Sequence, residues 1–456
     1  MPMPDLSLHA GAALLPGGWS KDVRVTIAAG VIAAVEVGAP QEAGDEAHAV
    51  VLPGVPNVHG HAFQRGMAGL AERRSPAADN FWTWRETMYR FVDRVGPAEL
   101  TAIAALAYCE MLESGFTRVG EFHYLHHDRN GSSFADPAEM CRAIVAAAAE
   151  TGIGLTLLPV FYAHAGFGGA EPDEGQRRFV NDLDGFGRLF EAARGAAADL
   201  PDAVVGVAPH SLRAVTPEEL VLLVSLASDA PIHIHVAEQV HEVEECLRWS
   251  GARPVEWLLD NAPVDARWCL VHATHMTATE ITSLAVNGAV AGLCPITEAN
   301  LGDGLFPAEA FLTAGGRIGI GSDSNVLIDA SEELRLLEYG QRLFSRRRNV
   351  LSSRARPSTG ERLYLDAVRG GGTALGTGAP AIATGQTADL ISLELDHPAF
   401  YGRGLDQLLD SWIFAAGNRG IDCVWRRGRK IVKKGKHIAR GAILSRYRST
   451  LERMLA

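Results

Sequence analysis

Lysine is nearly absent from this chain. Among its 456 residues lysine stands only at positions 21, 430, 433, 434 and 436, so every permanent positive charge between Lys21 and Lys430 is an arginine. Chemistry that needs a lysine side chain is therefore excluded from the whole middle of the chain.

Paired cysteines, long apolar runs and excess positive charge are lacking as well. The six cysteines are scattered without a CxxC pair, which argues against a disulfide framework and a thiolate zinc site and predicts a reducing cytoplasm. No apolar run of about 18 residues could span a bilayer, and the N-terminus lacks the pattern of a secretory signal. The net charge of −12 disfavours nucleic acid as a partner.

Short apolar runs alternate with helical stretches through the middle of the chain. Stretches such as 97–115 and 136–152 begin with Pro, Asp or Glu and end with glycine, as helices do. The predicted strands are residues 51–56, 116–122, 153–161, 203–209, 231–238, 268–273, 288–295 and 317–323. Eight alternations predict an α/β fold, a (β/α)8 TIM-like barrel with its active site at the carboxyl ends of the strands. The glycine run GGGTAL (370–375) indicates a helix start rather than a phosphate loop, because no strand or GK[ST] accompanies it.

The two ends of the chain have a different pattern. Residues 1 to about 50 and those from about 385 carry short alternating strands with glycine turns. We therefore expect residues 1–52 and 380–443 to form a small β-sandwich domain, residues 53–379 the barrel, and residues 444–456 a C-terminal helix.

Histidines stand at the ends of several predicted barrel strands. His59 and His61 alternate on one strand face behind the first apolar run, an arrangement that suits a divalent metal. Taken alone, this HGH motif is equally compatible with two hydrogen-bonded loop histidines. Other strands end in further candidates, namely His235 with Glu238 after it, His272 and Asp323. Because all of these fall on one end of the predicted barrel, the sequence predicts a metal site of three imidazoles and a carboxylate.

This pattern resembles the amidohydrolase superfamily over the whole chain. The resemblance implies that His59, His61, His235 and Asp323 are the metal ligands and that Asp323 also takes part in catalysis. It further implies that Glu238 is the proton shuttle and that His272 polarises the substrate. His233 lies on the same strand face as His235, but it is out of phase with the glutamate that accompanies the family's ligand. Since the barrel contains no lysine, a centre bridged by carbamylated lysine is excluded, and one metal per chain is expected, zinc or else iron.

Within the superfamily the chain is most similar to the deiminases of N-formimino-L-glutamate in histidine degradation. The matching segments are HAFQRGMAGLAE, FWTWRETMYRF, EFHYLHH, LCPITEANLGDG and GSDSNVLIDASEELRLLEYGQRL. The glycine in HGH departs from the serine common in that group. The resemblance implies hydrolysis to N-formyl-L-glutamate and ammonia, with substrate contacts from Gln64, Arg85, Tyr124, His210 and Arg213. A dicarboxylate substrate suits arginine forks, each of which pairs with a carboxylate in bidentate fashion.

Two alternatives to this function remain open at this stage. Another deaminase of the same branch would act on a purine, pyrimidine or triazine ring, and its pocket would need aromatic and amide contacts. A non-catalytic scaffold homologue would be expected to have lost metal ligands, which are all present here. Trp82 and Trp84, beside Arg85, are compatible with a lid over the site or with core packing. The resemblance implies a homodimer, whereas the net charge and the lack of a long apolar run argue against nucleic-acid and membrane partners.

Overall fold

The structure is a computed structural model, and it describes residues 6–74 and 79–456. The strands in chain order are β1 Leu6–Leu15, β2 Gly18–Ala28, β3 Val31–Val37, β4 Glu46–Pro53, β5 Val55–Gly60, β6 Phe116–His123, β7 Gly154–Phe161, β8 Val204–Val205, β9 Ala208–Pro209, β10 Ile232–Val236, β11 Trp268–His272, β12 Val290–Leu293, β13 Arg317–Ile320, β14 Leu390–Leu393, β15 Ile421–Arg426, β16 Arg429–Lys433 and β17 Lys436–His437.

The helices in chain order connect and follow these strands. They are α1 Phe81–Val92, α2 Pro97–Glu113, α3 Glu139–Thr151, α4 Leu183–Ala197, α5 Pro217–Ala227, α6 Val240–Ser250, α7 Pro254–Asn261, α8 Ala278–Asn287, α9 Pro295–Leu301, α10 Ala308–Thr313, α11 Ala330–Ser345, α12 Thr359–Ala374, α13 Leu408–Ser411 and α14 Arg440–Leu455. Throughout residues 6–74 and 79–456, none of the helices has the length and apolar character needed to cross a membrane.

Strands β5 to β13 form a parallel barrel. Hydrogen bonding runs in the order β10, β11, β12, β13, β5, β6, β7 and β8, and β9 continues beside β7. Parallel bridges from Val207 to Ile232 and from Ser211 to His235 connect the last of these strands back to β10. The predicted barrel with a small sheet domain from both termini is thus confirmed, and the carboxyl ends of all its strands meet at one face.

The first predicted strand is wrong in its position. Residues 51–53 belong to β4, which pairs with β1 and β14 in the other sheet, and the first barrel strand begins at Val55. Pro53 and Gly54 separate the two strands, and a side chain at Gly54 would collide with Thr117. One continuous apolar run therefore contains the end of a strand in one sheet and the start of a strand in the other. The other predicted strands coincide with observed ones to within three residues at their ends, although residues 203–209 form two short strands.

The small sheet takes strands from both ends of the chain. Its order is β17, β16, β15, β14, β4, β1, β2 and β3. Strand β4, which precedes the barrel in the chain, therefore lies beside β14, which follows the barrel. Apolar side chains such as Leu8, Val25 and Trp425 form its own buried cluster. We propose the domain division at residues 52/53 and 379/380. Helix α14, which follows this sheet, packs on α2 of the barrel.

The glycine run at 370–372 lies in the last turns of α12, so its prediction as a helix start is wrong. Helix α12 packs closely on β13 and β5. A Cβ atom at Gly370 would lie 1.9 Å from the carbonyl oxygen of Ile318, and one at Gly371 would lie 2.9 Å from Pro56. The glycines therefore serve helix packing against the barrel.

Candidate functional site

Four predicted ligand side chains converge at the carboxyl face of the barrel. The Nε2 atom of His59 lies 3.1 Å from the Nε2 atoms of both His61 and His235. Oδ1 of Asp323 lies 3.3 Å from His61 Nε2 and 3.5 Å from His59 Nε2. His59 is on β5, His61 follows it, His235 is on β10 and Asp323 follows β13, so residues far apart in sequence meet because parallel strands end together.

Backbone carbonyl groups orient two of these imidazoles. His61 Nδ1 donates to the carbonyl oxygen of Phe122 at 2.9 Å, and His235 Nδ1 donates to that of His210 at 3.0 Å. With the proton on Nδ1, each Nε2 atom directs its lone pair towards the other ligands. Two acceptor atoms thus face His59 Nε2, an arrangement that a cation between the three rings would stabilise.

The protonation states also suit a metal. Burial lowers the pKa of His59 to about 3 and lowers that of His235 well below its ordinary value. Burial alone would raise the pKa of Asp323, but its interactions with His59 and His61 outweigh burial and lower that pKa well below its ordinary value. Neutral imidazoles and an ionised carboxylate are the forms that ligate divalent ions.

Four of the separations between ligand atoms match those around a zinc-type ion. Bonds of 2.0–2.1 Å to nitrogen or oxygen imply ligand atoms about 3.4 Å apart. The observed separations of 3.1–3.5 Å bracket that value. The donor set of this chain therefore fits a zinc-type cation.

Several strand ends at the site have left-handed backbone. The φ angles are +51° at Ala237, +67° at His272 and +42° at Asp323, a region that non-glycine residues rarely adopt. Asp323 is held there because its amide donates to His59 O and its carbonyl accepts from His61 N. Such strain persists only when surrounding contacts enforce it, and it turns these side chains into the mouth of the barrel.

His272 lies among three carboxylates. Its Nδ1 donates to Glu298 at 3.2 Å, and its Nε2 lies 3.8 Å from Glu238 and 3.7 Å from Asp323. Burial acts to lower the pKa of His272, but the neighbouring carboxylates, Glu238 foremost, outweigh it and raise the pKa to about 10. The imidazole can therefore donate a hydrogen bond from Nε2 into the site.

Glu238 is a buried carboxyl group whose pKa lies near neutral pH. Burial raises its pKa to about 7, while His272 and Arg213 act in the opposite direction. Glu242 fixes its position, since the Glu242 carboxylate accepts from the backbone amides of Ala237 and Glu238. A group with such a pKa can both accept and release a proton at physiological pH.

The predicted substrate residues line one cavity with the ligand cluster. Gln64, Arg85, Tyr124, His210 and Arg213 surround it, together with His61, His235, Glu238, His272 and Asp323. The Gln64 side chain donates to the hydroxyl group of Tyr124 at 2.8 Å, and its own carbonyl oxygen lacks a partner within the described ranges. Polar atoms are thus free to contact a ligand.

Neither cavity arginine forms a salt bridge with any residue in the described part of the chain. The Arg85 guanidinium lies 4.5 Å from the ring centre of Trp82, and that of Arg213 lies 5.8 Å from the same ring. Arg213 is 7% exposed, and its Nε atom has no hydrogen-bond partner in residues 6–74 and 79–456. Trp82 therefore contacts the arginines, whereas Trp84 lines the cavity, and both lie on α1.

His233 lies outside the ligand cluster. Its Nε2 donates to the carbonyl oxygen of Ala374 at 2.7 Å, so the buried ring ties β10 to the end of α12. Glu298 and Glu242 were not identified from the sequence, which indicated for Trp82 only a place in a lid or in the core. Glu298 lies in the LCPITEANLGDG segment, which was the available signal, but nothing in its spacing indicates a bond to His272.

The chain belongs to the amidohydrolase family. The model of that family matches residues 50–431, and a model described as the N-terminal domain of formimidoylglutamate deiminase HutF matches residues 7–49. The resemblance noted in the sequence is thus confirmed over both domains. The amidohydrolase family is metal-dependent.

Three similar proteins show how closely the chain matches other members of the family and its fold. Formimidoylglutamate deiminase of Pseudomonas aeruginosa is 50% identical over 433 residues, which cover 94% of this chain and 95% of that protein. A crystal structure of an amidohydrolase from Brucella melitensis is 54% identical, with a TM-score of 0.96 over 99% of this chain and 100% of that chain. An adenosine deaminase from Xanthomonas campestris with bound zinc, at 24% identity and a TM-score of 0.80 over 99% and 98% of the two chains, shares the fold.

Proposed function

We propose that the chain hydrolyses N-formimino-L-glutamate to N-formyl-L-glutamate and ammonia, and so acts as a formimidoylglutamate deiminase. It is an enzyme that acts on the C–N bond of a linear amidine. The 50% identity to a curated deiminase over 94% of the chain supports this function, as does the match of the N-terminal domain. The cavity residues give the function a physical basis.

One divalent metal per chain would occupy the site formed by His59, His61, His235 and Asp323, with zinc favoured over iron. A donor set of three imidazole nitrogens and one carboxylate oxygen supports zinc. In this site the metal would supply Lewis acidity, which makes water a competent nucleophile near neutral pH.

Glu238 would move the proton. Its raised pKa lets the carboxylate accept a proton from the attacking water and then deliver it to the nitrogen that leaves as ammonia. Asp323, ionised and 3.7 Å from His272, would hold the second proton of the water as the formyl group forms. The carbon–nitrogen bond breaks as this second proton reaches the leaving nitrogen, so the products are uncharged ammonia and N-formyl-L-glutamate.

His272 would stabilise the charge that develops on the substrate. Its Nδ1 is bonded to Glu298, which leaves Nε2 as the donor that faces the cavity. Gln64, Tyr124 and His210 would position the amidine beside it.

Two arginines that form no salt bridge within residues 6–74 and 79–456 carry the assignment of the substrate class. Formiminoglutamate has two carboxylates, and buried or half-buried guanidinium groups need anions to satisfy them. Arg85 and Arg213 face one cavity with the catalytic groups, and Trp82 stacks between them. A ring substrate without carboxylates would leave both arginines unsatisfied.

The arginines provide the test of substrate class. Loss of one partner from a buried charged pair costs about 2–5 kcal/mol, so Arg85→Ala and Arg213→Ala should each lower kcat/KM by roughly 30- to 4,000-fold. Lysine at either position should rescue activity only in part, because a point charge cannot replace a planar fork. The exposed Arg90→Ala on the same helix serves as the matched control, with unchanged kcat/KM expected.

A substrate with one carboxylate removed makes the test selective. It should be a poor substrate for the wild type, yet lose little further activity when the arginine for the missing carboxylate is replaced. Equal losses on both substrates would mean that the arginines only support the fold. Ammonia release from formiminoglutamate should exceed that from guanine and cytosine, and the reverse order would favour a ring deaminase.

We further propose a cytoplasmic homodimer. The six cysteines are buried and free, as is usual in a reducing compartment. Leu343 and Phe344 on α11 are about four-fifths exposed, which suits an interface with a second copy. Light scattering should give twice the chain mass, and Phe344→Glu should reduce it to one.

A further inference from the structure

The small sheet holds a second cluster of metal-ligand atoms, away from the barrel face. His48 on β4 and the adjacent residues Asp422 and Cys423 on β15 each offer one ligand atom, and these atoms lie within 4.8 Å of one another. The cluster therefore combines nitrogen, oxygen and sulfur donors, the set that zinc-type ions bind.

A β-bulge explains why two consecutive residues contribute. Ile391 pairs with Val424 and Leu393 pairs with Ile421, so Ser392 alone opposes both Asp422 and Cys423. In a regular strand these neighbours would point to opposite faces. The bulge turns one of the two side chains towards the other, so that Cys423 Sγ lies 3.3 Å from Asp422 Oδ2.

Glu46 orients the imidazole of His48. The Nε2 atom of His48 lies 2.7 Å from Glu46 Oε1, and Glu46 also contacts Lys430. Lys430 holds the Glu46 carboxylate in place, where it is positioned to accept a proton from His48 Nε2. Metal-bound histidines typically give one N–H to a carboxylate in this way, and here Nδ1 is the ring nitrogen that faces Asp422.

Asp422 Oδ2 accepts hydrogen bonds from Ser392 and the Cys423 thiol, but its distance to His48 is longer than a hydrogen bond. His48 Nδ1 lies 3.5 Å from Asp422 Oδ2, which is beyond the usual range for nitrogen and oxygen. Zinc bonds of about 2.1 Å to nitrogen and oxygen and 2.3 Å to sulfur imply separations of about 3.4 Å and 3.6 Å. We propose that His48, Asp422 and Cys423 form a second metal site for a zinc-type divalent cation, with water as the fourth ligand.

The location of this site determines how a metal ion would reach it and what its binding would do. The Asp422 side chain is 22% exposed and gives access, while the His48 side chain is 8% exposed. Burial raises the pKa of the Cys423 thiol to about 11, so binding would release its proton. Strand β14 separates the two ligand strands, so the ion would clamp the segment that precedes the barrel to the segment that follows it.

Cobalt provides a direct test that does not depend on activity. Enzyme preloaded with one equivalent of Zn²⁺ is titrated with Co²⁺, and the thiolate-to-cobalt charge-transfer band is recorded. We expect one further equivalent to bind with that band. Cys423→Ser should abolish the band, His48→Gln should weaken binding at least about tenfold, and Glu46→Gln should weaken it about 10- to 100-fold.

Cys141→Ser is the matched control, since Cys141 is buried in α3 and belongs to none of the ligand clusters found in the described residues. It should keep both the band and the affinity. Absence of a second equivalent would overturn the proposal, as would a band that survives in Cys423→Ser, which would place the thiolate elsewhere. Should Cys423→Ser fail to fold, unchanged binding by folded His48→Gln would also overturn it.

Discussion

At the scale of single residues, Glu238 owes its chemistry to its surroundings. An exposed glutamate would be ionised at neutral pH, whereas burial raises the pKa of this one to about 7. Glu238→Gln keeps the shape but cannot carry a proton. We expect kcat to fall by about 10²- to 10⁴-fold with unchanged metal content, measured by ammonia release and metal analysis. Near-normal turnover would assign proton transfer to another group.

The ligand assignment makes a separate prediction. His235→Ala removes one of four donors, so the barrel site should lose its metal and the enzyme its activity together. Metal analysis after dialysis checks this, and His233→Ala is the comparison, because that ring bonds Ala374 O outside the cluster. Full metal content in His235→Ala would contradict the assignment. Metal bound at His48 and Cys423 should be the same in both variants.

Residues at strand ends could be predicted, but those that act through another residue could not. His59, His235, His272 and Asp323 follow from the rule that parallel strands end at one face of a barrel. Glu298 and Glu242 lie on α9 and α6, and they act by accepting from an imidazole or from backbone amides. Such contacts depend on the packing of helix against strand, which leaves no periodic signal.

At the scale of elements, the apolar run at 49–55 shows what a sequence pattern cannot predict. Alternation and burial are local properties, so they indicate a strand without saying which sheet it joins. The chain moves from β4 to β5 at Gly54, whose amide donates to Asp389 O in the small sheet. Likewise, only tertiary packing reveals why α12 ends in glycines.

Helix α12 supplies a prediction about packing. In Gly370→Ala the new methyl group would meet the backbone oxygen of Ile318, which cannot rotate away. We expect a loss of roughly 1–3 kcal/mol in the free energy of unfolding, measured in urea. Gly195→Ala on α4 is the control, because no atom lies within 4 Å of the added carbon. That variant should be stabilised by up to about 1 kcal/mol, and similar values for both would refute the packing role.

At the scale of the whole molecule, a buried ionic joint links the small sheet to the barrel. Arg426 on β15 donates to Asp202, which precedes β8, and it also contacts Asp389. Arg118 on β6 donates to the same Asp202 carboxylate at 2.6 Å. The two-ended domain was predictable from the patterns at the termini, but these partners, 84 and 224 residues apart, were not.

Breaking this joint should destabilise both domains together. Arg426 is 4% exposed, so Arg426→Ala leaves Asp389 without its buried arginine and Asp202 with Arg118 alone. A loss of about 3–5 kcal/mol in unfolding free energy is expected. Arg194→Ala, which removes an exposed pair with Glu191, should change it by less than about 1 kcal/mol. Separate unfolding of the two domains with barrel stability unchanged would contradict the coupling.

Acid should weaken the same joint, and the direction of this pH dependence follows from the pKa of Asp202. Burial alone would raise the pKa of Asp202, but Arg426 and Arg118 outweigh it and lower the pKa below its ordinary value of 3.8. A carboxyl group with a lowered pKa in the folded state stabilises the protein above its unfolded value and loses that contribution as pH falls through the folded value. The stability difference between wild type and Asp202→Asn should therefore shrink as pH falls from about 5 to about 3 in urea titrations. A difference that stays constant would mean that the pairing with arginine does not stabilise the fold, and that Asp202 acts through packing and its backbone carbonyl alone.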